Sequence, residues 1–274
     1  GKMLASSDEH RDEAMATWYP YVNLQIVAGE KDQHGRPFAA VMLDCAAGGA
    51  GAKSFRDGID CGGWIESVSI AMPNVESNER HYPVLELYRR RLEDTSGAGK
   101  FRGGVGMEVM YVPHDVEVVQ AIVIAGAVSQ PEAPGVFGAL PAAVQANLIL
   151  RDSNVREMLA GGRVPLDREE LESPHTDILQ AKDTTMLGPD DVHVAWYSGG
   201  GGYGDPLLRD PELVLRDFVQ GLVSGPVARN TYGVVIEDGA VDAEATETAR
   251  EEIRSKRLAD ARPAAELAAE VGVR

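Results

Sequence analysis

Apolar positions alternate with polar ones in short runs through the first half of the chain and fall at helical spacing only toward its C-terminal end. Residues 22–28 and 38–43 are rich in β-formers and flank the turn-prone stretch Lys31-Asp32-Gln33-His34-Gly35-Arg36-Pro37, which predicts an antiparallel hairpin. Residues 106–112 and 116–125 repeat the pattern across Pro113-His114-Asp115, a link that reads as too short for anything but antiparallel pairing, and 84–92 adds a strand alongside. After Gly126 the chain reads as loop, broken by Pro131, Pro134, Gly135, Gly138 and Pro141. A short helix is expected from Ser153 as N-cap to Gly161-Gly162. Alternation returns over 191–198, with Val192, Val194 and Trp196 on one face and His193, Ala195 and Tyr197 on the other.

Farther on, Asp210-Pro211-Glu212 supplies a capping carboxylate, a proline suited to the first helical turn and an early acid. Leu215, Phe218, Val219 and Leu222 follow at i, i+3, i+4 and i+7, predicting a helix. A strand over 233–236, a turn at Asp238-Gly239, a helix capped by Asp242 and an alanine- and glutamate-rich tail from Ala259 complete the pattern. The fold class expected is α+β, with an antiparallel β-rich first half and helices toward the C-terminus.

Charge narrows the partners. Among 274 residues, 43 acidic and 26 basic side chains give a net charge of −17, which repels phosphate backbones and anionic membranes. The dense basic run, Arg89-Arg90-Arg91, lies in a predicted strand that splits it between two faces. Neither nucleic acid nor a membrane is therefore an expected partner. The longest apolar run, 116–128, is too short to span a bilayer, and residues 1–13 are polar and acidic, unlike a secretory leader. Cys45 and Cys61 lack CxxC spacing and read as two reduced thiols, so a cytoplasmic location is expected.

Three glycine clusters carry the candidate chemistry: Gly48-Gly49-Ala50-Gly51-Ala52, Ser96-Gly97-Ala98-Gly99-Lys100-Phe101-Arg102-Gly103-Gly104 and Gly199-Gly200-Gly201-Gly202-Tyr203-Gly204-Asp205-Pro206. Such backbone implies positive φ angles or very close approach. Gly99-Lys100 is followed by Phe101 where a phosphate-binding P-loop needs Ser or Thr. A dinucleotide fingerprint beginning at Gly200 would place its third glycine at 205, which is Asp205. A tight structural turn is preferred to nucleotide binding.

Six histidines stand singly at 10, 34, 81, 114, 175 and 193, with no HxH or HExxH pair, so no metal ligands are assigned to this chain. Asp57 and Asp60 flank Gly58, where paired carboxylates suit a cation or acid–base work, against the preferred reading of an Asx-turn. Lys100 and Arg102 sit where a small backbone lets long cations reach a carboxylate or phosphate; an ion pair to a neighbouring acid is the alternative.

Taken together, these clusters resemble the hydantoinase B/oxoprolinase family. The likeness extends through Asp57-Gly58-Ile59-Asp60, residues 74–79, Pro83, Arg209-Asp210-Pro211-Glu212, Tyr232-Gly233-Val234-Val235-Ile236 and Val241-Asp242 with Thr246, in order from about Leu24 to Arg257. It covers the C-terminal part of that family's usual polypeptide; the N-terminal half, with its histidine- and aspartate-bearing motifs, has no counterpart here. The resemblance implies one C-terminal-type hydantoinase B domain over 1–258, with two lobes meeting near 126–150 and an exposed tail over 259–274. It also implies a split subunit of a multi-subunit, ATP-dependent enzyme, working with a hydantoinase A-type ATP-binding subunit and a chain supplying the N-terminal hydantoinase B half. ATP and a divalent metal would be bound by those partners. The reaction implied is hydrolysis of a cyclic amide through a phosphorylated carbonyl, with ketone carboxylation of the acetone and acetophenone carboxylase type as the alternative, and a non-catalytic structural subunit as the reading from a different class. Asp57, Lys100, Arg102, Gly200, Gly201, Tyr203 and Asp205 are the residues expected to meet a small-molecule substrate or its phosphorylated intermediate.

Overall fold

The computed structural model describes residues 7–19, 23–42, 48–63, 72–263, 266 and 270. The chain divides into two compact units, residues 1–208 and 209–274. Its α+β class matches the sequence pattern, with antiparallel sheets first and helices gathered toward the C-terminus.

Among the described residues the first unit holds nine strands: β1 (Asn23–Gly29), β2 (Phe38–Met42), β3 (Val84–Arg91), β4 (Met107–Pro113), β5 (Val119–Ala125), β6 (Ala146–Arg151), β7 (His175–Ile178), β8 (Lys182–Leu187) and β9 (Val192–Trp196). They form a four-stranded sheet ordered β2-β1-β5-β8 and a five-stranded sheet ordered β3-β4-β9-β6-β7, all neighbours antiparallel. Val27, Met42 and Val123 from the first sheet meet Val84, Tyr111 and Ile149 from the second in one core. The other face of the five-stranded sheet is covered as well. There Met110, Leu148 and Val194 pack with Val155 of α2 (Val155–Ala160) and with Leu171. Burial on both faces explains why all seven positions of β4 are buried while β5 alternates.

The β1–β2 hairpin forms as expected, with Ile26 opposite Val41. The expected β4–β5 hairpin does not: β4 pairs with β3 and β9, β5 with β1 and β8. Residues 114–118 instead carry the chain from one sheet to the other, with the His114 N–H held by the Pro83 carbonyl and Asp115 turned at φ 56°. Five residues cover the roughly 10 Å between stacked sheets even with a turn among them, so a short link serves a crossover as well as a hairpin.

Strands β6, β7 and β8, and α1 (Val75–His81), capped by Asn74, stand where no element was expected. The helix expected with Ser153 as its N-cap is capped one residue later, at Asn154, and starts at Val155, while the Ser153 hydroxyl donates to the Asp190 carbonyl. Residues 126–150 run from β5 of one sheet to β6 of the other, and the two compact units divide after Leu208. Cys45 and its neighbour Asp44 lie outside the described residues.

A polar network is sealed between the two sheets. The His193 ring accepts the Tyr111 hydroxyl at Nδ1 and donates from Nε2 to Asn147 Oδ1 at 3.0 Å. Asn147 donates to Asn23 Oδ1 at 2.8 Å, Gln25 donates to Asn23 Oδ1 at 3.0 Å, and the Tyr197 hydroxyl donates to Gln25 Oε1 at 2.8 Å. All six side chains are buried, and the chain of bonds runs from β4 through β9 and β6 to β1 and on to Tyr197, just past β9.

The second unit contains α3 (Pro211–Val219), α4 (Gly225–Asn230), the β10 (Ile236–Glu237)–β11 (Ala240–Val241) hairpin and α5 (Ala243–Ala259). The expected caps form: Asp210 accepts the Glu212 N–H and Asp242 the Ala245 N–H. Asp238 and Gly239 turn the hairpin with φ of 49° and 78°. The strand expected over 233–236 is confined to its last residue, Ile236. The expected helix forms, and of its four patterned apolar residues Leu222, just past the helix, is buried. Val214 and Asp217 are buried, whereas Phe218 and Val219 are exposed. Asp217 is drawn inward by Arg209, whose guanidinium reaches its carboxylate at 2.6 Å with both side chains fully buried.

Burial of His193 gives the fold a defined pH dependence. Its pKa falls from 6.5 to about 3, so between those values the unfolded chain holds the extra proton and folding stability is lost as pH drops. Urea unfolding from pH 7 to pH 4 should show a slope of up to about 1.4 kcal/mol per pH unit from this group, and His193→Gln should flatten the profile by that amount. An unchanged profile in the variant would contradict the assignment.

Candidate functional site at the glycine-rich junction

Because neighbouring strands are antiparallel, the end of β3, the start of β4, the end of β9 and the start of β6 lie at one end of the five-stranded sheet. The segments that leave this end are the glycine-rich ones. They meet there, joined by residues 14–17 and by the loop around 133–142.

The joints are made backbone to backbone. Gly200 N–H donates to the Gly104 carbonyl at 2.9 Å, Gly104 to Ala50 at 2.8 Å, and Ala50 to Ile59 at 2.9 Å. Gly97 donates to Gly200, Ala52 to Gly201, and Gly201 to Thr17, while Phe101 and Tyr203 exchange both bonds at 3.0 and 2.8 Å. A methyl group on Gly103 would sit 1.8 Å from the Gly200 carbonyl oxygen, and one on Gly200 would sit 2.0 Å from that of Ala50. Close approach, not left-handed backbone, therefore accounts for residues 199–202; of that cluster only Gly204 has a positive φ, 75°.

Asp57, Lys100, Arg102, Gly200, Gly201, Tyr203 and Asp205 all come together at this junction. Asp57 Oδ1 accepts the Arg102 N–H at 2.9 Å, and the Gly58 N–H returns to the Arg102 carbonyl at 2.8 Å. The Arg102 side chain, 4% exposed, reaches Asp60 Oδ1 at 2.8 Å and its own neighbour's carbonyl, Gly103, at 2.8 Å. Asp60 also accepts the Val105 N–H and faces Arg91 at 3.7 Å. The ion pair weighed for Arg102 is thus present. Cys61, next in sequence, has its thiol pushed up to about 11, first by burial and then by Asp60.

Lys100 is exposed, with its ammonium 5.5 Å from the Phe101 ring centroid and its backbone N–H on the Gly204 carbonyl. Tyr203 is buried, packs its ring at a tilt against Phe137 with centroids 5.0 Å apart and donates its hydroxyl to the Arg11 carbonyl; burial raises its pKa. Asp205 Oδ1 accepts the Leu207 N–H, closing the turn after the glycine run. The contributions of residues 11–17 and 133–142 were not anticipated. Small side chains at Ala14, Ala16 and Ala133 are their signal, since each is buried against the junction.

The glycine run 199–204 is not built to cradle a phosphate. The N–H groups of residues 199–204 all donate to protein carbonyls, to Thr95, Gly104, Thr17, Leu140, Phe101 and Val136 in turn, which leaves no nest of donors for an anion. Among the described residues no group of three His, Cys, Asp or Glu side chains could hold a metal ion. No step through ATP or a divalent cation is derived from this chain. Among the described residues no helix is long and apolar enough to cross a membrane.

The hydantoinase B/oxoprolinase family model matches residues 2–206, and the chain belongs to that family. It is 32% identical to the acetophenone carboxylase delta subunit of Aromatoleum aromaticum over 77% of its length, covering 32% of that subunit. Its fold is similar to nucleotide-free acetone carboxylase, with a TM-score of 0.83 and 30% identity over 93% of this chain and 36% of that one. It is also similar to the ATP-dependent caprolactamase of Pseudomonas jessenii, with a TM-score of 0.73 and 25% identity over 91% of this chain and 40% of that one. The chain therefore spans between about a third and two-fifths of the length of these proteins.

Two substitutions separate close approach from ordinary turn strain. Gly103→Ala, forced against backbone, should cost more than about 3 kcal/mol or prevent folding. Gly35→Ala, at φ 76° with nothing within 4 Å of the new methyl, should cost about 1–2 kcal/mol in chemical denaturation. Equal losses at the two positions would refute the packing argument.

Proposed function

We propose that this chain is the rigid wall-forming part of a multi-subunit, ATP-dependent enzyme that acts on a small carbonyl compound after its oxygen is phosphorylated, and that the reaction is ketone carboxylation. The similarity to acetone carboxylase over 93% of the chain, at a TM-score of 0.83, carries this reading. Hydrolysis of a cyclic amide is the second reading, favoured by the caprolactamase likeness at 0.73. ATP is assigned to a hydantoinase A-type partner, and the divalent metal to the polypeptide that makes up the rest of the family's length. The N–H groups of residues 199–204, all taken by protein carbonyls, support that division for the glycine run.

Within the assembly, the chain's part is to hold a surface still. Arg102, Asp57 and Asp60 lock the loop that carries Lys100, and Gly200, Gly201, Tyr203 and Asp205 fix the facing loop. Lys100, exposed at the rim, is the cation placed to meet an anionic substrate or intermediate; Arg102, buried on Asp60, positions it.

The test uses the complex purified from its native host through a tag on this chain. Ketone-dependent fixation of labelled bicarbonate with ATP consumption is expected from acetone or acetophenone. ATP-dependent opening of hydantoin, 5-oxoproline or caprolactam without fixation would establish the second reading, and neither activity would sink both. Lys100→Ala should raise KM ten-fold or more at unchanged Tm. Arg102→Ala should instead lower stability by about 2–3 kcal/mol, below the usual cost of halving a buried pair because Asp60 keeps some solvent contact and Arg91.

A further inference from the structure

An antiparallel sheet with one face in water ordinarily shows that face polar side chains. The four-stranded sheet does not. Its inward positions feed the shared core, and its outward positions, set by register, form a row Val41–Ile26–Ile122–Thr184 flanked by Ile124 beside Lys182 and by Gln120 beside Met186. Val41 is 41% exposed, Ile124 38% and Met186 50%, and Lys182 is the one charged side chain at these outward register positions among the described residues.

We propose that this face seats a non-identical polypeptide surface, aliphatic at its centre and acidic opposite Lys182, contributed by the part of the family's length that this chain does not span. The proposal rests on the reading above that the chain works with that remainder. Three observations select this occupant. The relatives it resembles extend well beyond the matched region, leaving some three-fifths to two-thirds of their length with no counterpart here. A second copy is disfavoured by charge, because each chain carries −17. It is disfavoured by area too: four strands about 4.8 Å apart and about five residues long give a plan area of roughly 300 Å². A stable interface removes about 800 Å² from each partner, so two such faces alone fall short, whereas the patch suffices as the apolar centre of a wider heterologous contact.

The full chain, expressed in its native host, can carry photo-reactive benzoylphenylalanine at Val41 or Ile122, with Ile178, 76% exposed on the other sheet, as control. The expected result is an adduct whose partner peptide, read by mass spectrometry, belongs to hydantoinase B-family sequence outside residues 1–274, at ten-fold or higher yield than from Ile178. An adduct to this chain's own peptides, an adduct to an unrelated protein, or a yield equal to the control would overturn the proposal. In parallel, Val41→Glu combined with Ile122→Glu should leave the Tm of the isolated chain within a few degrees and reduce recovery of the complex at least ten-fold; full recovery would also overturn it. ATP-dependent turnover by the tagged wild-type complex is scored separately, so the failure of the functional reading and the failure of the docking face give different results.

Discussion

The architecture depends on backbone meeting backbone where no Cβ intervenes. At the glycine-rich junction, carbonyls and amides from residues 49–59, 97–106 and 197–204 lie so close that each strand-end loop is the hydrogen-bond partner of the next. Such packing satisfies polar groups that would otherwise be buried at a cost of a few kcal/mol each. It also removes the freedom that glycine-rich segments usually have. The loops are thereby as fixed as the sheet they leave, and a side chain such as Lys100 inherits that fixity even though it is exposed.

The sheets deliver those loops to one place, and the polar residues between and upon them hold the sheets in register. Asn23 and Gln25 of β1 are bonded to Asn147 of β6 and to Tyr197, just past β9, so a shift of either sheet by one residue would strand several buried amides at once. On the outer face of the five-stranded sheet, Glu108 of β4 accepts from Tyr88, Arg90 and Trp196, and Arg90 continues to Asp167 at 2.5 Å. Tyr88 is accordingly held as a phenol, its pKa raised by burial and by Glu108. These groups bind β3, β4 and β9 at the very strands whose ends feed the junction.

How much of this could be read in advance follows from what each signal measures. Capping chemistry is local, so Asp210 and Asp242 were legible as helix starts, and the long turn of the first hairpin marked its pairing. Alternation reports which residues are apolar but not which sheet they join, so β4 and β5 looked like a hairpin. β4, buried on both faces, carried no alternation to correct the impression. The burial of Asp217 in α3 was not legible, because it reads as a surface acid until Arg209 is placed against it. For the site, the glycine clusters and their cations were legible as a group. What they do with their N–H donors was not, since each donor's partner lies in a segment distant in sequence.

The family match ends at residue 206, and the first compact unit ends at Leu208. Two independent criteria, one of sequence and one of packing, thus place a boundary at nearly the same residue, directly after the glycine run. Residues 209–274 nevertheless are not an arbitrary appendage. The likeness to acetone carboxylase covers 93% of the chain, more than the roughly three-quarters that residues 1–208 make up, so it extends into the second unit. That unit has its own internal ties: the buried Arg209–Asp217 pair, Thr246 accepting the Val235 N–H, and Arg250 donating to the carbonyls of Tyr232 and Arg209. With its own caps, a buried ion pair and buried apolar residues, the segment is held together by contacts within itself.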